Sequence, residues 1–305
     1  MLAHAHRRAP LAGRGGSDAG LAGRLHPRTG GRRRSSRPHQ SRRRIGVPMR
    51  KKSILITGAG SGIGLKTALL FSSRGWLVGA ADIDAASLER LAAMAPAGSI
   101  VPIVGDVTDR QAAIRMVEAF TEQTLGYLDV AFLSAGILRM GPYIDIAPED
   151  HALINRVNID GILNMVSATF PALKRTPDAH LISMSSASAE YGVPELAVYA
   201  ASKAFVRSLT EALSIEFAEH DITVSAITVA YVATPMVTDA KVKARSIEKL
   251  GVKITPERVA ETVWRAAHGR KLMWRIGLDA KLLHIVVRLF GDRFSLIGKR
   301  LAGYD

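Results

Sequence analysis

The chain has 305 residues, 48% of them apolar, with 41 Lys and Arg against 27 Asp and Glu and no cysteine. That is enough chain to bury a large α/β core, and the missing thiols exclude a disulfide framework, a thiolate metal or iron–sulfur centre and a cysteine nucleophile. The formal net charge of +14 points to a polyanion partner only until it is located: residues 1–48 hold 12 Arg, no Lys and the single acid Asp18, so the rest of the chain carries only +3.

The leader mixes Gly, Pro, Ser and Ala with Arg32-Arg33-Arg34 and Arg42-Arg43-Arg44 and holds no apolar block, which reads as disorder. Three readings of it stay open. Met49-Arg50-Lys51-Lys52 directly precedes the first apolar run and would serve as a start, the Arg-rich, acid-poor composition resembles an organellar transit peptide, and the charge alone would suit nucleic acid. The near balance that follows argues against nucleic-acid binding by the body.

From Ser53 onward short β-rich runs alternate with helical patterns: Ile54 to Ile56, Trp76 to Ala81, Ile100 to Val104, Val130 to Leu133, Leu181 to Met184, Ile222 to Ile227 and Leu272 to Ile276. Seven strands with helices between them predict βαβ units, and the nearly unbroken apolar runs suit strands covered on both faces. The expected fold is one Rossmann-like, doubly wound α/β domain over 49–305, with a seven-stranded, mostly parallel sheet. No apolar stretch reaches the length of a membrane span, and a cytoplasmic location is expected.

The first strand runs into Thr57-Gly58-Ala59-Gly60-Ser61-Gly62-Ile63-Gly64, with an amphipathic segment following directly. Glycines at a strand-to-helix junction let backbone N–H groups and the helix dipole approach a pyrophosphate. Strict G-x-G-x-x-G is absent; T-G-x-x-x-G-I-G fits. The second strand ends at Asp82, where a dinucleotide fold places the acid that bonds a ribose 2′-hydroxyl, and a carboxylate there repels a 2′-phosphate. NAD is therefore favoured over NADP, with Arg74 as the nearby cation to account for. Asp84 reads as a helix cap. Asp106, after the third strand, reads either as an adenine contact or as another cap.

In Tyr199-Ala200-Ala201-Ser202-Lys203 a phenol and an ammonium lie four apart on one helical face. An adjacent ammonium favours the phenolate and so lowers a pKa that is near 10 when unperturbed. That pair suits proton exchange with an alcohol or carbonyl oxygen. Thirteen residues upstream, Ser186 sits at the carboxyl end of the fifth strand; Ser185 and Ser188 carry the same hydroxyl, and the spacing favours Ser186.

Taken together, T-G-x-x-x-G-I-G, the Ser thirteen residues before Y-x-x-x-K, and Val157-Asn158 on the preceding long helix resemble the short-chain dehydrogenase/reductase family over residues 52 to 236. The resemblance implies a catalytic tetrad in which Tyr199 is the acid/base, Lys203 holds the nicotinamide ribose and depresses the tyrosine pKa, Ser186 orients the carbonyl, and Asn158 anchors a relay water. It also implies cofactor contacts at Val107, Ser134, Ala135, Gly136, Val232 and Thr234, and a homodimer or homotetramer pairing through helices 148 to 172 and 196 to 219. Three positions depart from the family pattern: Ser134 stands for the usual Asn, Ser225 for an Asn expected after the sixth strand, and Val229-Ala230 for Pro-Gly. The first is expected to touch stability, the others the nicotinamide pocket.

Residues 237–254 resemble the family's substrate loop. Tyr191, Val193 and Tyr231 read equally as substrate-pocket residues and as packing. The tail from 278 sets Leu282, Leu283, Ile285, Val286, Leu289 and Phe290 beside Lys281, Arg288, Arg293, Lys299 and Arg300, a pattern expected to pack on the domain or another subunit, with membrane contact the lesser alternative. The expected activity is NAD(P)-dependent hydride transfer between nicotinamide and a secondary alcohol or ketone, with no metal. Its alternatives are an NADP-preferring carbonyl reductase and a non-catalytic dinucleotide sensor.

Overall fold

The computed structural model describes residues 50–291; the basic leader and Arg293, Lys299 and Arg300 lie outside the described residues. The first half runs β1 (Ser53–Thr57), α1 (Gly62–Ser73), β2 (Leu77–Asp82), α2 (Ala85–Met94), β3 (Ile100–Val104), α3 (Arg110–Glu122) and β4 (Val130–Leu133). The second runs α4 (Pro148–Asn155), α5 (Gly161–Arg175), β5 (Ala179–Met184), α6 (Ala197–Glu216), β6 (Ile222–Thr228), α7 (Pro235–Thr238), α8 (Arg245–Leu250), α9 (Pro256–Ala266), β7 (Met273–Arg275) and α10 (Leu278–Phe290). The seven strands form one sheet in the order β3-β2-β1-β4-β5-β6-β7, and every neighbouring pair is parallel, so the expected "mostly parallel" sheet is wholly so.

The unbroken apolar strands are explained by covering on both faces. Along β1, Ile54 and Ile56 point to one side and pack with Phe71, Val78 and Val263, while Leu55 points to the other and packs with Phe120, Leu133 and Leu181. Trp76, expected to open the second strand, stands just before β2. Its ring is taken by an edge-to-face cluster with Phe71 and Trp264, centroids 5.1 and 5.7 Å away, that fastens α1 to α9. Arg74, at the end of α1, lies 4.4 Å over the Trp264 ring and 2.6 Å from Glu261.

Two helical expectations change. The long helix expected over 148–172 is α4 and α5 joined by a π turn over Arg156–Asp160, and the stretch expected as a loop over 237–254 contains α8. Ser225, expected after the sixth strand, lies inside β6 opposite Ile182 and is fully buried. Among the described residues no helix is long and apolar enough to cross a membrane.

At the amino edge of the sheet, Asp129 precedes β4 with its side chain only 2% exposed. It accepts hydrogen bonds from Arg50, from Lys52 Nζ at 2.8 Å and from the Ser53 backbone N–H at 2.9 Å, tying the approach to β1 onto β4. Burial opposes its ionisation, but these bonds outweigh it and hold the carboxyl below its ordinary 3.8. A depressed carboxylate pKa contributes stability that is present above the unfolded value and lost as pH falls through the folded one. Asp129→Asn should cost about 2 kcal/mol at pH 7, read by urea denaturation, and the gap between variant and native protein should narrow below pH 3.8. A gap that is equally wide in acid would contradict this assignment.

Candidate active site

Because all strands run in one direction, their carboxyl ends share one edge, and the chain order reverses between β1 and β4. A cavity of about 960 Å³ opens there, lined from Gly58 to Val286, at the upper end of the size of ligand pockets.

One end is built by the turn after β1. Thr57 Oγ1 accepts the backbone N–H groups of Ser134 and Ala135, both at 3.1 Å, locking the ends of β1 and β4 together. Ser134, expected to stand for an Asn, takes part here through its backbone N–H. At Gly64 a Cβ would stand 2.1 Å from the carbonyl oxygen of Gly58, so only glycine lets the first turn of α1 lie this close to the loop. Gly60 donates its N–H to Asp82 Oδ2 at 2.8 Å, while Asp82 Oδ1 accepts from Asp84 N–H at 3.1 Å. Asp82 therefore shapes the loop as well as facing the cavity. Asp84 caps α2, accepting from Ala86 N–H, as expected. Asp106 lines the cavity and closes a local turn onto Thr108 N–H, and it is Asp109 that caps α3. Ser61, Gly62, Ile63, Val107, Gly136, Val232 and Thr234 all line the same cavity.

The other end is built by α6, the π turn and the segment after β5. Asn158, fully buried in the π turn, accepts Ile137 N–H at 2.8 Å and donates to Ile137 O at 3.0 Å and to Ser202 at 3.1 Å. The helix widens where its side chain grips the strand-end backbone, as π turns do at functional sites. Lys203 lies one turn beyond Tyr199, its Nζ 5.6 Å from the tyrosine ring centre and 3.0 Å from Met184 O, to which it donates. Ser186 starts a 3-10 turn over Ala187–Glu190 and accepts from Ser188 N–H, with the Ser188 hydroxyl 2.9 Å away. Thus Ser186, Tyr199 and Lys203 line the cavity together, while Asn158 does not line it and stands buried behind, bonded to Ser202 next to Lys203.

The electrostatics depart from expectation. Burial raises Tyr199 to about 12; its hydrogen bond with Ser186 pulls the other way, and nearby Tyr231 adds to the rise. Lys203 does not depress it, because burial pushes the lysine itself down to about 8. At neutral pH the pair is a protonated phenol beside a mostly protonated amine. Tyr191, raised to about 12 by burial, Val193 and Tyr231 line the cavity and also join a small apolar cluster around Leu138, Leu196 and Val237, so the packing reading is seen and the position is open to a substrate. Tyr231 shares a 2.5 Å hydroxyl contact with Ser246 of α8.

One set of residues escaped the sequence reading: Leu282, Leu283 and Val286 of α10 line the cavity. The signal was present, since a helix that follows the last parallel strand must begin at the carboxyl edge.

A turn shaped to admit a pyrophosphate, at the switch point of a parallel sheet, places the chain among nucleotide-binding α/β enzymes. The family model "short chain dehydrogenase" matches residues 52–244, and the chain belongs to the short-chain dehydrogenase/reductase family of oxidoreductases. It is 32% identical over 256 residues to a 3-oxoacyl-[acyl-carrier-protein] reductase of Thermotoga maritima, covering 83% of this chain and 96% of that protein. It is 31% identical to a 2-keto-3-deoxy-L-fuconate dehydrogenase of Xanthomonas campestris, covering 80% and 75%. Among solved structures, a short-chain dehydrogenase/reductase from Burkholderia phymatum in complex with NAD superimposes with a TM-score of 0.71 at 25% identity, covering 81% of this chain and 95% of that one. A 3-ketoacyl-(acyl-carrier-protein) reductase from Brucella melitensis complexed with NADH gives 0.67 at 28%, covering 74% and 96%.

Gly64→Ala should place its methyl against the Gly58 carbonyl and cost about 1–3 kcal/mol, lowering the thermal midpoint by about 2–4 °C for each kcal/mol. Calorimetry showing an unchanged midpoint would mean that the turn is looser than drawn.

Proposed function

We propose that the protein moves hydride between NAD and a secondary alcohol or ketone, with Tyr199 exchanging the proton. The observation that carries this reading is the meeting of Ser186, Tyr199 and Lys203 in the lining of a cavity that the glycine turn and Asp82 also line, with Asn158 buried behind them against Ser202. The residues fit a dinucleotide. The close approach at Gly64 clears space for a diphosphate, and the start of α1 offers its N–H groups to it. The solved neighbours in complex with NAD and NADH support the same cofactor class. Bound nicotinamide would supply or accept the hydride.

The chain's own residues then divide the remaining work. Ser186 orients the substrate oxygen, and Tyr199, protonated at neutral pH, donates to a carbonyl or, once ionised, accepts from an alcohol. Lys203 places a positive charge beside the phenol, and Asn158 holds the π turn against Ile137. NAD over NADP is supported by Asp82 in the lining and by the engagement of Arg74 with Glu261 and Trp264. The described residues lining the cavity include two cations, Arg156 and Lys203, neither of which is next to Asp82 in the chain. A homodimer or homotetramer pairing through α5 and α6 agrees with exposed Leu163 and Ile215 on those helices. A cytoplasmic location agrees with the absence of cysteine.

Turnover of a ketone panel with NADH tests the reading. Tyr199→Phe should lower kcat by about 10²–10⁴-fold while NADH still binds. NADPH should bind the native protein more weakly by on the order of a hundredfold, from charge repulsion at Asp82. Saturable NADH binding with no turnover of any ketone or alcohol would favour the sensor, and equal NADPH binding would overturn the cofactor choice.

The pH dependence has a definite sign. Lys203 titrates near 8, below its ordinary 10.5, so its charge is present below that pH and lost above it. Reductive kcat/KM should be level near neutrality and fall as pH rises through about 8; a profile that stays flat well above this value would remove Lys203 from the step.

A further inference from the structure

The wall of the cavity beyond Tyr199 is apolar and comes from three separate segments. Val193 and Leu196 come from the loop after the 3-10 turn, Leu250 from α8, and Leu282, Leu283 and Val286 from α10. Among the described residues of the lining, residues 186–196, residues 229–250 and α10 contribute no charged side chain. The hydroxyls there are largely engaged with one another: Ser188 donates to Ser186 at 2.9 Å, and Tyr231 and Ser246 are 2.5 Å apart. A polyhydroxylated substrate would bury its hydroxyls here against few open partners, at a cost that an alkyl group does not incur.

The α10 wall is anchored rather than laid loosely on the surface. Glu190, at the end of the 3-10 turn that Ser186 opens, has a side chain only 2% exposed. Its carboxylate meets Arg207 of α6 at 2.9 Å, Arg275 of β7 at 3.7 Å and His284 of α10 at 2.9 Å. His284 follows Leu283 directly, so this cluster sets where the apolar residues of α10 stand relative to Ser186.

We propose that α10 is the specificity-determining wall of the substrate site, and that the site takes a ketone or secondary alcohol whose remainder is an extended, uncharged hydrocarbon. This rests on the reading of Ser186 and Tyr199 as the reacting end. It narrows the substrate from any carbonyl to an apolar one and assigns the discrimination to residues beyond the matched family segment, which ends at 244.

Reductive kcat/KM for 2-butanone, 2-hexanone and 2-decanone with NADH should rise along the series by up to about fourfold per methylene, the factor that corresponds to about 0.8 kcal/mol. The double variant Leu283→Ser, Val286→Ser should flatten the rise, lowering the ratio of the 2-decanone to the 2-butanone value at least tenfold. Leu289→Ser, on the 76% exposed side of the same helix, should leave the series intact. Should the double variant fail to fold, Leu282→Ser at the 62% exposed rim should flatten the series in part. A binding arm is independent of chemistry: by calorimetry on the full chain, decanamide should bind more tightly than butanamide, and the α10 variants should erase the difference. No turnover of any ketone, with chain-length-dependent amide binding retained, would overturn the proposed function and leave the apolar wall standing. A flat series in the native protein, amide binding insensitive to length, or variants that change nothing would overturn the role of α10.

Discussion

Seven strands that all point the same way finish at the same edge, and the rest of the molecule depends on that constraint. Each connection must cross back over the sheet, which puts helices on both faces, and each strand hands over to its crossover through a turn at the carboxyl edge. Residues far apart in sequence are thereby delivered to one line of loops. Thr57, Asp82, Asp106, Ser134 and Ser186 lie at or just beyond five successive strand ends, and all but Thr57 line the cavity. Thr57 serves from beneath, holding two of those ends together through its hydroxyl.

The end of the cavity that holds Tyr199 and Lys203 is governed by desolvation. Two groups that would attract each other in water, a phenolate and an ammonium, are each driven toward neutrality when buried, which is why Tyr199 stands near 12 and Lys203 near 8. The spacing of four residues shows that the groups share a face; it says nothing of how dry that face is. The resulting state has the proton on the phenol and favours donation over acceptance at neutral pH. The ammonium is steadied by the Met184 carbonyl, a backbone group at the end of β5, so the strand that delivers Ser186 also holds Lys203.

Features written in contiguous residues were legible: the alternation of apolar runs and helices, the glycine turn, the acid at the end of β2, and the Tyr/Lys pair with its upstream serine. Features set by partners distant in sequence were not. Nothing around Asn158 marks a π turn, because the turn arises where its carboxamide meets Ile137, 21 residues earlier. Trp76 reads as the first residue of a strand until Trp264, 188 positions on, claims its ring. The tail showed an apolar face without showing what that face meets. Its seat on the cavity follows only once β7 is known to be the last parallel strand and Glu190 to reach both β7 and α10.

Glu190 illustrates why a buried charge is kept at such a place. Removing a carboxylate from water costs several kcal/mol, and pairing seldom returns much more than that, so the cluster is a poor source of stability. Its value lies in geometry. The carboxylate has two oxygens, and with Arg207, Arg275 and His284 around them the 3-10 turn is fixed against α6, β7 and α10 together. An apolar contact would tolerate sliding among these elements by fractions of a turn. Hydrogen-bonded charges in a dry setting do not, and the proposed function, in which Ser186 and Tyr199 meet the substrate that Leu283 and Val286 face, requires that registration.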